Sequence, residues 1–390
     1  MMNFSTMLKK YWPTIIILAI VVLGLYVRIF DYKFPYLRNI DSYAFTRQIE
    51  DVANNGYLPQ HDDLSLAPAG QDRPLGRDLY VYIMAYGFSF VRFFSPGYTL
   101  FQFLIWAPAL MAALMAIPMY YIGKILYDRR AGILAAFFIV FDISILSRTL
   151  GGDPDNDTSV LLFPLIAIAL FLLAYKYTNE KGFTKKGILY TILAGIGLVA
   201  WGYIWSGFWF VIWLIAGFLI VKIIMKLVKS RNITGIKEMK RPIFVFIAMI
   251  VIFFVLTVPF LGPRVITETV QGPFSFGDIK SEENREFPNV YVSVAELQTG
   301  GGVREIVQRT NIYLFVFMIF SLVYLAVSAL MKRKEHIDTF ILLLIWFVGP
   351  LIATGIGIRF AILFSAPIAI GSAILVSKIF RIIDGEGVAE

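Results

Sequence analysis

The stretch RTLGGDPDNDTSVLLFPLIAIALFLLAYK, residues 148–176, sets three aspartates at alternate positions against a long apolar run. The run that starts at Thr158 is long enough to cross a hydrocarbon core of roughly 30 Å at about 1.5 Å per residue. Asp153, Asp155 and Asp157 therefore sit at the mouth of a membrane helix, where carboxylates are expensive. Either one of them caps that helix in water, or together they build a site.

Working outward, comparable runs lie at roughly 13–30, 98–124, 131–149, 187–204, 205–229, 242–263, 310–331, 338–356 and 358–378. With 58% hydrophobic and only 16% charged residues, the chain has more apolar surface than a soluble domain could bury. The expected fold is all-α, a polytopic transmembrane bundle of about ten to eleven membrane helices with two long outer loops. Lys9 and Lys10 precede the first run and no small-residue cleavage site follows it, so it reads as a membrane helix and not a removable signal. Residues 1–385 then form one integral membrane domain with a short cytoplasmic tail at about 381–390, and no soluble C-terminal domain is expected.

Charge gives the orientation. The net charge of +8 is concentrated in short loops: Lys124, Arg129 and Arg130; Lys176 to Lys186; Lys222 to Arg241; Lys332 to Lys334. These fall on one side if the apolar segment at about 79–95 lies flat at the interface, so the N-terminus is expected in the cytoplasm of a multi-pass cell-membrane protein. The same placement argues against a nucleic-acid partner. Without cysteine, and with His61 and His336 as the only histidines, thiol chemistry and zinc–thiolate sites are excluded and a histidine-based centre is disfavoured.

Three segments remain for the outer face: a first loop of about 31–78, the aspartate stretch, and a large loop of about 262–309 carrying Gly300, Gly301 and Gly302. Asp41 lies in the first, Asp155 and Asp157 in the second, Glu296 in the third. Oxygen ligands without His or Cys suit Mn²⁺ or Mg²⁺, and a D-x-D spacing lets two carboxylates address one cation. Capping by Asp155 or Asp157 would satisfy free helical N–H groups, but it explains one aspartate and not three. Arg359 interrupts the last apolar stretch, either snorkelling to headgroups or clamping an anion, for which a guanidinium offers a bidentate fork.

These motifs resemble, in order, those of the oligosaccharyltransferase catalytic subunit, particularly its archaeal single-subunit form. DSYAFTR (41–47) looks like the first acidic motif, followed by NNGYLP and RPLGR; SRTLGGDPDND (147–157) resembles the second. AWGYIW (200–205) is similar to a Trp-Gly stretch of the middle helices, SVAE (293–296) to the glutamate motif of the large loop, and RFAILFSAPIAI (359–370) to the late helix with the phosphate-binding arginine. No W-W-D-Y-G motif occurs, so the likeness covers the membrane half of that family.

The resemblance implies a metal-dependent, inverting transfer of a glycan from a polyprenyl (dolichyl) phosphate or diphosphate to asparagine in an Asn-x-Ser/Thr acceptor protein. Asp41, Asp155, Asp157 and Glu296 would hold Mn²⁺ or Mg²⁺, Asp41 and Glu296 would also engage the acceptor amide, and Arg359 would hold the donor phosphate. Arg47, Arg148, Trp201 and Tyr203 fall within the motifs as supporting residues. Asp153 is a further carboxylate that the family's pattern does not require. The domain that reads the acceptor would then lie on a separate soluble subunit, or the chain is a truncated or fragmentary product. A related enzyme using a polyprenyl-phosphate sugar but a non-protein acceptor, and an inactive paralogue that binds lipid-linked glycan, are the alternatives. A transporter fits least, because the acids lie in loops and not deep in several helices.

Overall fold

The computed structural model describes residues 4–33, 36–65, 67–73, 76–230, 237–274, 307–331 and 336–385. Its helices are α1 (Phe4–Ile29), α2 (Ile40–Asn55), α3 (Leu79–Phe94), α4 (Leu100–Ala113), α5 (Ala116–Leu126), α6 (Arg129–Val140), α7 (Ile143–Arg148) and α8 (Asp157–Lys181). They continue as α9 (Lys185–Gly202), α10 (Trp209–Ser230), α11 (Lys240–Leu261), α12 (Arg264–Gln271), α13 (Ile312–Leu330), α14 (Ile337–Ile356) and α15 (Ser365–Ile383). Among the described residues the only strands are β1 (His61–Asp62) and β2 (Gln71–Asp72), an antiparallel pair in the first loop.

Among the described residues eight helical stretches are long and apolar enough to cross a membrane, which makes this a multi-pass membrane protein: Tyr11–Ile29, Leu100–Leu126, Asp157–Lys181, Ser206–Lys229, Lys240–Leu261, Ile312–Leu330, Ile337–Gly355 and Phe360–Ile383. The span expected at 187–204 is the 18-residue α9, which packs along α8. The span expected at 131–149 is two helices. Asp142 ends the first by N-capping the second, accepting from the N–H groups of Ser144 (3.0 Å) and Ile145 (3.3 Å), and Ser365 Oγ donates to the same carboxylate at 3.1 Å. The segment at 79–95 is α3, a 16-residue apolar helix and so about 24 Å long.

Two apolar cores divide the chain. The larger joins α1, α4–α6, α8–α11 and α13–α15. The smaller lies under the first loop and joins Ile49 and Val52 of α2 to Tyr80, Val81, Met84 and Phe88 of α3, Leu104 of α4 and Val160 of α8. It sets α2 against the mouth of α8.

The loop 149–156 is pinned to α1 from below. Arg28 is 1% exposed and donates to three neutral oxygens at 2.9 Å each: Thr149 Oγ1, Gly24 O and Val140 O. Its own carbonyl accepts from Gly151 N–H at 2.8 Å, and Ile105 O accepts from Gly152 N–H at 3.2 Å. Gly152 has φ +76° and a Cβ there would stand 2.1 Å from the Tyr32 ring. Gly152→Ala thus combines left-handed strain with a collision. It is expected to cost about 1–3 kcal/mol, read as a lower melting temperature in detergent; an unchanged melt would show that the loop is not held this way.

Candidate functional site

The first acidic motif and the aspartate stretch meet. Asn39 caps α2, its Oδ1 accepting from Asp41 N–H at 3.4 Å, and Asp41 is exposed in the first turn. One residue on, the fully buried Ser42 donates from Oγ to Asp153 Oδ1 at 2.6 Å. Arg38 holds the loop from the other side, with its N–H donating to Gly152 O and its Nε to Gly151 O, both at 2.9 Å. Asp153, the carboxylate with no expected part, is therefore the buried link between the two motifs.

None of the three aspartates occupies the cap position of α8, although Asp157 lies in its first turn. Helix α8 begins at Asp157 and the cap position is Asn156, whose side chain makes no cap bond. Asp155 Oδ1 accepts from the N–H of its neighbour Asn156 at 2.6 Å. Asp157 lies 3.3 Å from Arg148 NH1.

Crowding shows in the protonation of the group. Burial and then Asp157 push the Asp155 carboxyl up to about 7, with Asp153 and Asp41 adding to the push. Burial also raises Asp153, against the Ser42 hydrogen bond that lowers it. The unfolded chain releases the Asp155 proton near its ordinary value of 3.8, whereas the folded chain keeps it to about 7. Between those values the folded state binds more protons, so stability is highest at the acid end and falls as pH rises through 7. The cation-free chain is expected to melt lower at pH 8 than at pH 6, and this difference should shrink in Asp155→Asn. A difference of the same size in Asp155→Asn would place its origin elsewhere.

The set is all oxygen, anionic and mutually repelling, which fits a divalent cation of the Mg²⁺ or Mn²⁺ kind in its donor chemistry. Among the described residues no three such groups already stand close enough to hold a metal. Glu296, the third expected ligand, lies outside the described residues.

Arg47 is bidentate to Asp62, with NH2 to Oδ2 at 2.5 Å, and Arg73 NH2 reaches the same carboxylate at 2.9 Å. The Arg47 hydrogen bond, ahead of that from Arg73 and against burial, holds Asp62 at about 2, so this clamp on the first loop persists until strongly acid pH. Arg77 pairs with Glu268 of α12, tying the first loop to the base of the large one. Trp201 is fully buried and donates from Nε1 to Val160 O at 3.1 Å, fixing the first turns of α8. Tyr203 donates to Leu256 O at 2.8 Å while its own carbonyl accepts from Leu79 N–H.

Arg359 lies on a 3₁₀ stretch, Ile358–Phe364, between α14 and α15, and not within a continuous span. Two cavities flank that stretch. A polar one of about 240 Å³ is lined by Ser144, Ser147, Arg148, Gln308, Arg309 and Ala361, with Ser144 Oγ donating to the Arg309 carbonyl. An apolar one of about 290 Å³ is lined by Trp205, Trp209, Trp213, Ile352, Phe360 and Leu363 among others. Sequence reading missed Ser42, Arg28 and Arg309; for Ser42 the signal was its place beside Asp41, and for the two arginines only a charge near the end of an apolar helix.

The sequence model of the family described as Oligosaccharyl transferase STT3, N-terminal, matches residues 10–384. The dolichyl-phosphooligosaccharide-protein glycotransferase of Methanococcus voltae is 24% identical over 391 residues, covering 89% of this chain and 42% of that relative. The chain thus spans about half the length of the curated relatives it matches. Among solved structures, archaeal oligosaccharyltransferase AglB from Archaeoglobus fulgidus, in complex with an inhibitory peptide and a dolichol-phosphate, matches with a TM-score of 0.75 at 20% identity, over 98% of this chain and 53% of that one. The Archaeoglobus fulgidus oligosaccharyltransferase in complex with zinc and sulfate matches with a TM-score of 0.73 at 20% identity, over 95% of this chain and 50% of that one. At these identities the structural likeness is one of fold.

Proposed function

The chain belongs to the oligosaccharyl transferase STT3 family, and from that premise we propose that it is the membrane half of an enzyme that moves a glycan from a polyprenyl phosphate or diphosphate to asparagine. The observation that carries this reading is the Ser42–Asp153 bond, which joins the two acidic motifs and brings Asp41 and Asp155 within electrostatic reach.

Asp41, Asp155 and Asp157, with Glu296, would hold Mn²⁺ or Mg²⁺. When bound, the cation supplies charge neutralisation of the departing phosphate. That a related structure was solved with zinc and sulfate supports a divalent-cation site, and the oxygen-only donors here favour the harder ions. Asp41 and Glu296 would hold the acceptor carboxamide, whose nitrogen is a poor nucleophile until positioned and polarised. The nitrogen attacks the anomeric carbon from the face opposite the phosphate. The C–N bond forms as the C–O bond to phosphate breaks, the configuration inverts, the phosphate leaves with the bonding pair, and the proton lost by the amide nitrogen passes to a carboxylate that holds it, Asp41 or Glu296.

Arg359 would hold the donor phosphate at the 3₁₀ stretch. The cavity containing Arg148 and Arg309 supports an anion there, and the tryptophan-lined cavity beside Phe360 supports an isoprenoid chain. The complex of AglB with a dolichol-phosphate supports the same donor class. The site would face outward, with the N-terminus cytoplasmic. Arg359→Ala is expected to weaken binding of a dolichyl-phosphate donor by about 30-fold, since losing one partner of a desolvated charge pair costs roughly 2 kcal/mol or more. Unchanged donor affinity with normal membrane insertion would remove Arg359 from the role.

A further inference from the structure

Tyr80, the second residue of α3, has no part in that chemistry and an unusual setting. Its ring is 1% exposed, set edge-on to Phe45 at 5.6 Å and 88°, and packed in the small core with Ile49, Val52 and Met84. Its hydroxyl is buried and finds no hydrogen-bond partner among the described residues. That hydroxyl lies within electrostatic reach of Asp155 foremost, then Asp153 and Asp157.

A buried hydroxyl without a partner is unfavourable, and phenylalanine would fill the same volume without that cost. The hydroxyl thus has a donor to offer, and the neighbouring carboxylates are the acceptors within reach. Burial and the three carboxylates raise the Tyr80 hydroxyl well above the ordinary tyrosine range, so it keeps its proton and acts as a donor. Asp153 already has its donor in Ser42. Asp155 has one oxygen engaged by the Asn156 N–H.

We propose that Tyr80 is a positioning residue for the cation site, its hydroxyl donating to the Asp155 carboxylate when that carboxylate faces a divalent cation. Carboxylates that ligate metals are themselves held by hydrogen bonds from residues behind them, and loss of such a partner weakens the metal. Phe45 and the small core fix the ring, and so fix the direction from which the donor approaches. The inference rests on the cation reading given above.

The test is a titration of the full chain, in detergent micelles, with Mn²⁺ as the probe, free Mn²⁺ being read by its paramagnetic resonance signal. Wild type is compared with Tyr80→Phe, and both are melted without cation. Tyr80→Phe is expected to bind Mn²⁺ about 10-fold more weakly while its cation-free form melts at or above the wild-type temperature, because an unpaired buried hydroxyl has been removed. Equal Mn²⁺ affinities would overturn the inference. A cation-free Tyr80→Phe that melts well below wild type would also overturn it, by making the hydroxyl a structural group. Wild type that binds no Mn²⁺ would overturn the cation reading and this inference with it, an outcome distinct from equal binding by the two proteins.

Discussion

Asp155→Asn should lower cation-dependent glycan transfer about 10³-fold, the scale seen when one group that stabilises developing charge is removed, with the protein still inserted and folded. Asparagine keeps the shape and can still accept the Asn156 N–H, as Asp155 Oδ1 does at 2.6 Å. What it loses is the charge that Asp157, Asp153 and Asp41 make costly in the bare protein. The same repulsion means that the variant should be no less stable than wild type without cation, so lost activity cannot be ascribed to unfolding. Transfer within a few-fold of wild type would remove Asp155 from the cation set.

Arg28→Ala should be the most damaging change away from the carboxylates, costing roughly 3–5 kcal/mol. Two opposing effects have to be weighed. Deleting a buried cation relieves a desolvation cost, because its partners are neutral. Against that, Val140 O, Gly24 O and Thr149 Oγ1 each lose a 2.9 Å donor in a dry interior, and a cavity is left where the side chain was. Thr149 Oγ1 keeps its bond to Ile145 O and Gly24 O stays within the ladder of α1, so the loss falls chiefly on Val140 O and on the cavity, which together outweigh the relief. Arg28→Lys should fall between, since an ammonium cannot span three acceptors in fork geometry. Melting curves in detergent check both variants, and Arg28→Ala melting with wild type would show that the loop does not depend on this staple.

Much of this was legible in the sequence because the signals were long or local. Apolar runs marked the helices, and aspartates at alternate positions marked the candidate site. The break at Asp142 was hidden because a lone aspartate in an apolar run does not announce that it will cap a second helix and bind Ser365 from far along the chain. Asp153 was opaque for a similar reason: its partner Ser42 is 111 residues away, and neither residue type implies the other. An arginine at the end of an apolar run carries no sign of its partners, and only the burial of Arg28 beside Thr149 and Val140 shows it to be the support of the aspartate loop. Tyr80 is one more aromatic at the start of an apolar helix in the sequence, and only the folded chain shows its hydroxyl buried without a partner among the described residues.

The account turns on whether this chain carries cation-dependent transfer chemistry. The direct measurement is glycopeptide formation from a dolichyl-linked glycan and an Asn-x-Thr peptide, followed by mass in membranes containing the chain, with Mn²⁺ and with chelator. The account predicts a peptide heavier by the glycan with Mn²⁺, and none with chelator or in Asp155→Asn. Glycopeptide formed equally well in chelator, or glycan delivered to an acceptor other than the peptide, would contradict it.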